Sequence, residues 1–228
     1  MEKMFLLLVI IVFSSHPARA EFSGQIVLLP PGCQKTAQCT LGDNFGYIDK
    51  QNIGWEADKG DVTDGASIPR WAQFFAGEPF EETYLPAAIL HDHYSKSVRP
   101  VRGWYQTQKM FYEVLIASGV SESKAAILYA GVLIGSGKWL KAKASKPCPT
   151  ITGVACINLE GVEDEVLIIK SPIFGTPRHT ELFEQARAEI LSQGLSAPIP
   201  VVELLRRLMP DDIFLTNTDG TLGGAQEF

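Results

Sequence analysis

The chain has 228 residues, 46% of them hydrophobic, with 20 Lys and Arg against 26 Asp and Glu. Setting aside Glu2, Lys3 and Arg19 with the first twenty residues leaves 25 acidic and 18 basic side chains, a net charge near −7. No basic block stands out in that balance, which argues against nucleic acid as a partner, and the remaining 208 residues suit one domain with an appendage or two small domains.

Residues 1–20 have the layout of a secretory signal peptide: a weakly basic start at Lys3, an unbroken apolar run from Phe5 to Phe13, and the small-x-small site Ala18-Arg19-Ala20. The run is too short to span a bilayer, so the reading is cleavage after Ala20, a mature chain from Glu21 without a transmembrane span, and a periplasmic or secreted location. No cysteine follows the site directly, which argues against a lipoprotein anchor. Export makes the four cysteines read as disulfides. Sequence leaves three pairings open; the expectation is two local bridges, because Cys33 and Cys39 lie six apart and Cys148 and Cys156 eight apart. Neither pair has the tight C-x2-C spacing that zinc favours.

From Glu21 to Asp61 the signals are strand and turn. Gln25–Leu29, Phe45–Ile48 and Ile53–Ala57 read as short antiparallel strands separated by Pro-, Gly- and polar-rich turns. From Thr83 to about Lys143 the character is helical. The expected helices are Tyr84–Ser95, Gln106–Ser118 ended by Gly119, and a third opened by Ser121 and Glu122 that passes through Gly131 and Gly135 at close packing points. Beyond Lys146-Pro147-Cys148, Val166–Ile169 reads as a strand, Glu181–Gln193 and Val201–Leu208 as helices, and the Gly-rich end beyond Thr216 as loose. The fold expected is α+β: a small antiparallel sheet followed by a helical bundle. Residues 21–146 would form the main domain and 147–228 a C-terminal α/β extension.

The chemistry concentrates in two stretches. On a helix over Tyr84–Ser95, Asp92 shares a stripe with Leu85, Ala88 and Ile89, and His91 shares the adjacent one with Ala87, Leu90 and Tyr94. Both polar residues therefore ride on core-facing surface, where a carboxylate must be paired, hydrogen-bonded or bound to a cation. Histidine suits proton transfer near neutral pH, and aspartate is a hard oxygen ligand. Upstream, Thr63-Asp64-Gly65 is a turn signal, and Ala66-Ser67-Ile68-Pro69 continues it without bulky side chains, as close approach to a ligand or ion requires.

T-D-G-A-S-I-P-R-W followed by A-A-I-L-H-D resembles a phage- and bacteria-associated family of uncharacterised function. The resemblance covers about Tyr47 to Leu140 and implies a strand region carrying the first motif, a helix with the second, and a further helix with an acidic position. A second resemblance is to phospholipase A2, whose helical His-Asp pair is followed by a tyrosine and faced by an acid on the next helix. It implies His91 as the base that activates water, Asp92 as a Ca²⁺ ligand, and the Asp64–Ser67 loop as a further oxygen donor. Two positions depart from that pattern. Ser95 stands four residues after the histidine, with Tyr94 one early, and Gln108 occupies the acidic position; Glu113 or Asp64 would be the substitute acids.

His93 offers a zinc alternative with His91, Asp64 or His179, although His91 and His93 sit about 200° apart around an intact helix. The Gly135–Lys138 and Asn217–Gly220 stretches lack the remaining residues of a phosphate loop and a calcium loop. The expected function is an exported hydrolase of cell-envelope material, acting on a lipid ester with His91, Asp92 and Asp64 catalytic. Ser67, Tyr94 and Gln108 would bind substrate, and Asp92, Asp64 and His93 would be the metal candidates. Alternatives are a zinc-dependent peptidoglycan hydrolase and a non-catalytic envelope or phage-related accessory protein in which the pair is structural.

Overall fold

The computed structural model describes residues 21–30, 38–65, 83–95, 100–143, 153–158, 165–218 and 221–222. The first six strands are short and form two small antiparallel sheets. One takes β1 (Glu21–Ser23), β4 (Phe45–Ile48) and β5 (Gly54–Ala57) in the order β1-β4-β5; the other takes β2 (Leu28–Leu29), β3 (Cys39–Leu41) and β6 (Val62–Thr63) in the order β2-β3-β6. Strand β5 has the alternation of a half-buried strand, with Trp55 and Ala57 inward and Gly54 and Glu56 outward. The β4–β5 turn is organised by Asp49, whose carboxylate accepts from the Gln51 and Ile53 amides and from Trp55 Nε1. Of the expected strand over Gln25–Leu29, only Leu28–Leu29 pairs.

Three helices follow. Helix α1 (Leu85–Ser95) packs on β5 and β6 with one side and on α2 (Trp104–Ala117) with another, so it is buried from Ala87 through Asp92. Helix α3 (Glu122–Gly135) is apolar all round and buried at every residue from Ala125 to Gly135, as a helix at the centre of a core must be. Gly131 admits α4 (Pro177–Gln193): a β-carbon there would lie 3.1 Å from the Phe183 ring. Helix α2 begins two residues before the expected Gln106, because Gly103 accepts the capping role and the Gln106 side chain accepts its amide.

The helical reading fails after Gly135. Residues Lys138–Lys143 form β7, antiparallel to β9 (Glu165–Lys170), which also pairs with β8 (Val154–Asn158); β10 (Thr221–Leu222) adds to β7 in parallel, giving the order β10-β7-β9-β8. Long-range pairing thus overrides a stretch that reads as a helix end, and it also draws Thr221–Leu222, expected to be loose, into a strand. Residues on both sides of the expected boundary near 146 share this sheet and one hydrophobic core running from Leu41 to Leu215. Helix α5 (Pro198–Leu208) and the short α6 (Ile213–Thr216) close that side. Helices α4 and α5 start a turn earlier than expected, each with proline at the position where the missing amide is harmless.

A buried ion pair joins the last elements to the sheet. Lys138 Nζ lies 2.7 Å from Asp212 Oδ2, 5.0 Å from the centroid of the Trp104 ring, and Lys170 approaches the same carboxylate at 3.5 Å. Burial pushes the Lys138 ammonium down to about 8 in spite of its partner. Burial alone would raise Asp212, but the charges of Lys138 and Lys170 and the Phe214 amide outweigh it and hold the carboxyl below its ordinary value. Among the described residues no helix is long and apolar enough to cross a membrane. Cys39 and Cys156 are disulfide-bonded; Cys33, Cys148 and the expected signal peptide lie outside the described residues.

Candidate active site around the His91–Asp92 pair

Strand β6 runs beside the middle of α1, and that adjacency brings the two stretches together. Its alternation turns Val62 outward and Thr63 inward. The Thr63 hydroxyl donates to Asp92 Oδ2 at 2.7 Å, and the Asp64 amide donates to the same oxygen at 3.3 Å. Thr63 Oγ1 in turn accepts from the Gly65 amide at 3.1 Å, and the positive φ of 75° at Gly65 suits glycine. Asp92 is 7% exposed, so these donors supply what a buried carboxylate requires. Asp64 contributes to Asp92 through its backbone; Ser67 and the remainder of that loop lie outside the described residues.

His91 faces the other way, toward α2. Its Nε2 is 2.9 Å from Gln108 Oε1 and 3.2 Å from Ser95 Oγ, and its ring lies 5.2 Å from that of Phe111, centroid to centroid. His91 is 8% exposed and Gln108 fully buried, so the imidazole orientation is set by packing as well as hydrogen bonding. The amide nitrogen of Gln108 has no hydrogen-bond partner among the described residues. The two departures from the phospholipase pattern, Ser95 and Gln108, thus both meet the same ring nitrogen. Glu113, the substitute acid, pairs with Lys109 at 3.6 Å; burial pushes its carboxyl up, and the Asp49 charge adds to that against the lysines.

The remaining candidates serve other contacts. His93 Nδ1 lies 2.6 Å from Asp61 Oδ2, on the more open side of the helix. Tyr94, expected near substrate, is largely buried; its hydroxyl accepts from the Glu56 amide at 3.1 Å and its ring stacks edge-on against Trp55. His179 sits in the first turn of α4 against Phe174 and Phe183, and burial pulls its pKa down.

These positions do not fit a calcium or zinc centre among the described residues. His91 and His93 lie on one unbroken helix and bond in different directions, and Asp92 Oδ2 is taken by two donors. No three His, Cys, Asp or Glu side chains gather where they could share an ion among the described residues. Sequence reasoning missed Thr63 as the donor to Asp92 and Asp61 as the partner of His93. Period-two alternation in β6 points to the first; nothing local points to the second.

Comparison with known proteins reaches relatives described only as uncharacterised. The chain is 39% identical over 129 residues to "Uncharacterized protein y4iH" of Sinorhizobium fredii, covering 53% of each chain. It is 32% identical over 153 residues to "Uncharacterized protein y4jT" of the same bacterium, covering 64% of this chain and 42% of that protein. It therefore spans about half the length of the curated relatives it matches. No solved structure matches. Residues 39–132, which hold β3 through most of α3 and every described residue of the candidate site, match the family described as "Protein of unknown function (DUF1353)".

Proposed function

We propose that this chain is an exported hydrolase of cell-envelope material, acting on a lipid ester, with His91 as general base. The observation that carries the reading is the holding of His91: a buried imidazole on a core helix, with Gln108 Oε1 2.9 Å from Nε2 on the neighbouring helix. An imidazole held in a fixed orientation is what proton abstraction from water needs. In the reaction a ring nitrogen takes a proton from water as the oxygen bonds to the ester carbonyl carbon. The carbon–oxygen bond to the alcohol then breaks, and the imidazolium returns the proton to the departing oxygen. Asp92 acts as a positioning residue: bound to Thr63 and the Asp64 amide, it fixes the loop against the helix that carries His91. The lipid ester rests on the resemblance of the His91–Asp92 helix to phospholipase A2, and export on the character of residues 1–20.

A second reading has its own observation. Both bonds to Asp92 Oδ2 tie a strand to a helix, as a purely structural pair in an envelope or phage-related accessory protein would. Incubation of the chain from Glu21 with phospholipid vesicles and with purified sacculi separates the readings. Release of fatty acid from vesicles supports the proposal. Release of peptidoglycan fragments replaces its substrate, and release from neither favours the structural pair.

A further inference from the structure

We infer that His93 and Asp61 form a second proton-transfer centre, a solvent-facing general base for small uncharged or cationic acyl esters. It stands apart from the buried pair at His91 and Asp92 and does not depend on the reading given to that pair. Three observations carry it. His93 Nδ1 lies 2.6 Å from Asp61 Oδ2, and because an ionised carboxylate only accepts, the ring proton belongs on Nδ1. Asp61 is fixed by its own turn: the same oxygen accepts from the Asp58 amide at 2.8 Å, and the Asp61 amide donates to the Asp58 carbonyl at 3.0 Å. The His93 ring meets the Tyr94 ring edge-on at 4.7 Å, centroid to centroid, yet its side chain stays 23% exposed and its Nε2 makes no hydrogen bond among the described residues.

A carboxylate at Nδ1 and a bare Nε2 toward solvent are a base and its orienter, the two parts that activation of water needs. Water gives its proton to Nε2 as its oxygen bonds to the ester carbonyl carbon, and Asp61 faces the imidazolium that forms. The carbon–oxygen bond to the alcohol then breaks, and the imidazolium returns the proton to the departing oxygen, leaving one acid and one alcohol. The surrounding charge selects the substrate. Glu56 on β5, Asp58 and Asp61 in the turn, Asp64 after β6 and Asp92 on α1 stand against Lys59, the one Lys or Arg in residues 54–64 and 85–95. That negative field repels anionic esters and admits neutral or cationic ones.

The test is hydrolysis of para-nitrophenyl acetate, which is uncharged, and para-nitrophenyl hemisuccinate, which is anionic, by the chain from Glu21, with free imidazole at equal concentration as reference. The expected result is a rate on the acetate above that of free imidazole, lowered at least about 100-fold in His93→Ala, the low end of what a positioned base contributes. Added imidazole should restore part of the His93→Ala rate beyond its own background, which a purely structural histidine would not allow. Relative to free imidazole, the acetate should be favoured over the hemisuccinate by at least about 3-fold at low salt, fading as salt is raised. No rate above free imidazole, or an unchanged rate in well-folded His93→Ala, overturns the inference. So does loss in His91→Gln with His93→Ala intact, which assigns the activity to the buried pair. Equal relative rates on the two esters overturn the substrate class. Should His93→Ala fail to fold, Asp61→Asn decides: it keeps the shape, removes the charge facing the imidazolium, and should lower the rate at least about 10-fold, and no change overturns the inference.

Discussion

Replacing Thr63 with valine tests the junction on which the site depends. The two side chains have nearly the same shape and Thr63 is 2% exposed, so the change opens no cavity and removes only the hydroxyl. Two bonds go with it: the 2.7 Å donation to Asp92 and the 3.1 Å acceptance from the Gly65 amide. A hydrogen bond to a charged group contributes about 1.5–3 kcal/mol, and a buried donor left without an acceptor costs about 1–3 kcal/mol. Asp92 keeps the Asp64 amide at 3.3 Å, and the Gly65 turn can adjust, so the sum is an upper bound and about 2–4 kcal/mol is expected. For a chain of this size that corresponds to a fall of about 4–16 °C in Tm. Urea denaturation of Thr63→Val, Asp92→Asn and the double variant supplies the coupling directly, and at least about 1.5 kcal/mol should be shared between the two positions. A loss under about 0.5 kcal/mol in Thr63→Val, with no coupling to Asp92, would refute the idea that this bond joins the loop to the helix.

Further expectations concern charge. Asp212→Ala leaves Lys138 buried without its closest counter-charge and should destabilise the fold by about 3–5 kcal/mol in chemical denaturation. Because the Asp212 carboxyl sits below its ordinary 3.8 in the folded chain, its stabilisation is present above that value and lost as pH falls through the folded pKa. Denaturation midpoints followed from pH 6 to pH 3 should therefore fall more steeply in the parent than in Asp212→Asn. Glu113 has the opposite sign: its folded pKa is raised above 4.5, so its ionisation works against folding as pH rises through that pKa. Glu113→Gln should accordingly gain more stability at pH 7 than at pH 4, and equal gains would contradict the assignment.

Much of this centre is legible in the sequence, for a physical reason. His91 and Asp92 stand in an apolar run whose helical spacing forces them inward, and a buried carboxylate has to meet donors nearby. The Asp64 turn is the neighbour the sequence suggests for this pair, and its amide does donate to Asp92, whereas the Thr63 hydroxyl, 29 positions from Asp92, is a donor that the sequence does not single out. The parts that escaped depend on contacts distant in sequence. Lys138–Lys143 reads as the tail of a helical region, and only its pairing with Glu165–Lys170 makes it a strand. Asp61 is an ordinary turn acid until α1 places His93 over it, 32 positions on. Ser95 and Gln108 look like losses against the phospholipase pattern, whereas in the fold they converge on one nitrogen of His91.

The most direct measurement of the central claim is fatty-acid release from phospholipid vesicles by the parent chain and by His91→Gln, with the folded state of both verified by denaturation. The account predicts turnover by the parent and a loss of at least about 100-fold in the variant, the low end of what a positioned general base contributes. Equal release by the two proteins, or none by a well-folded parent, would contradict it.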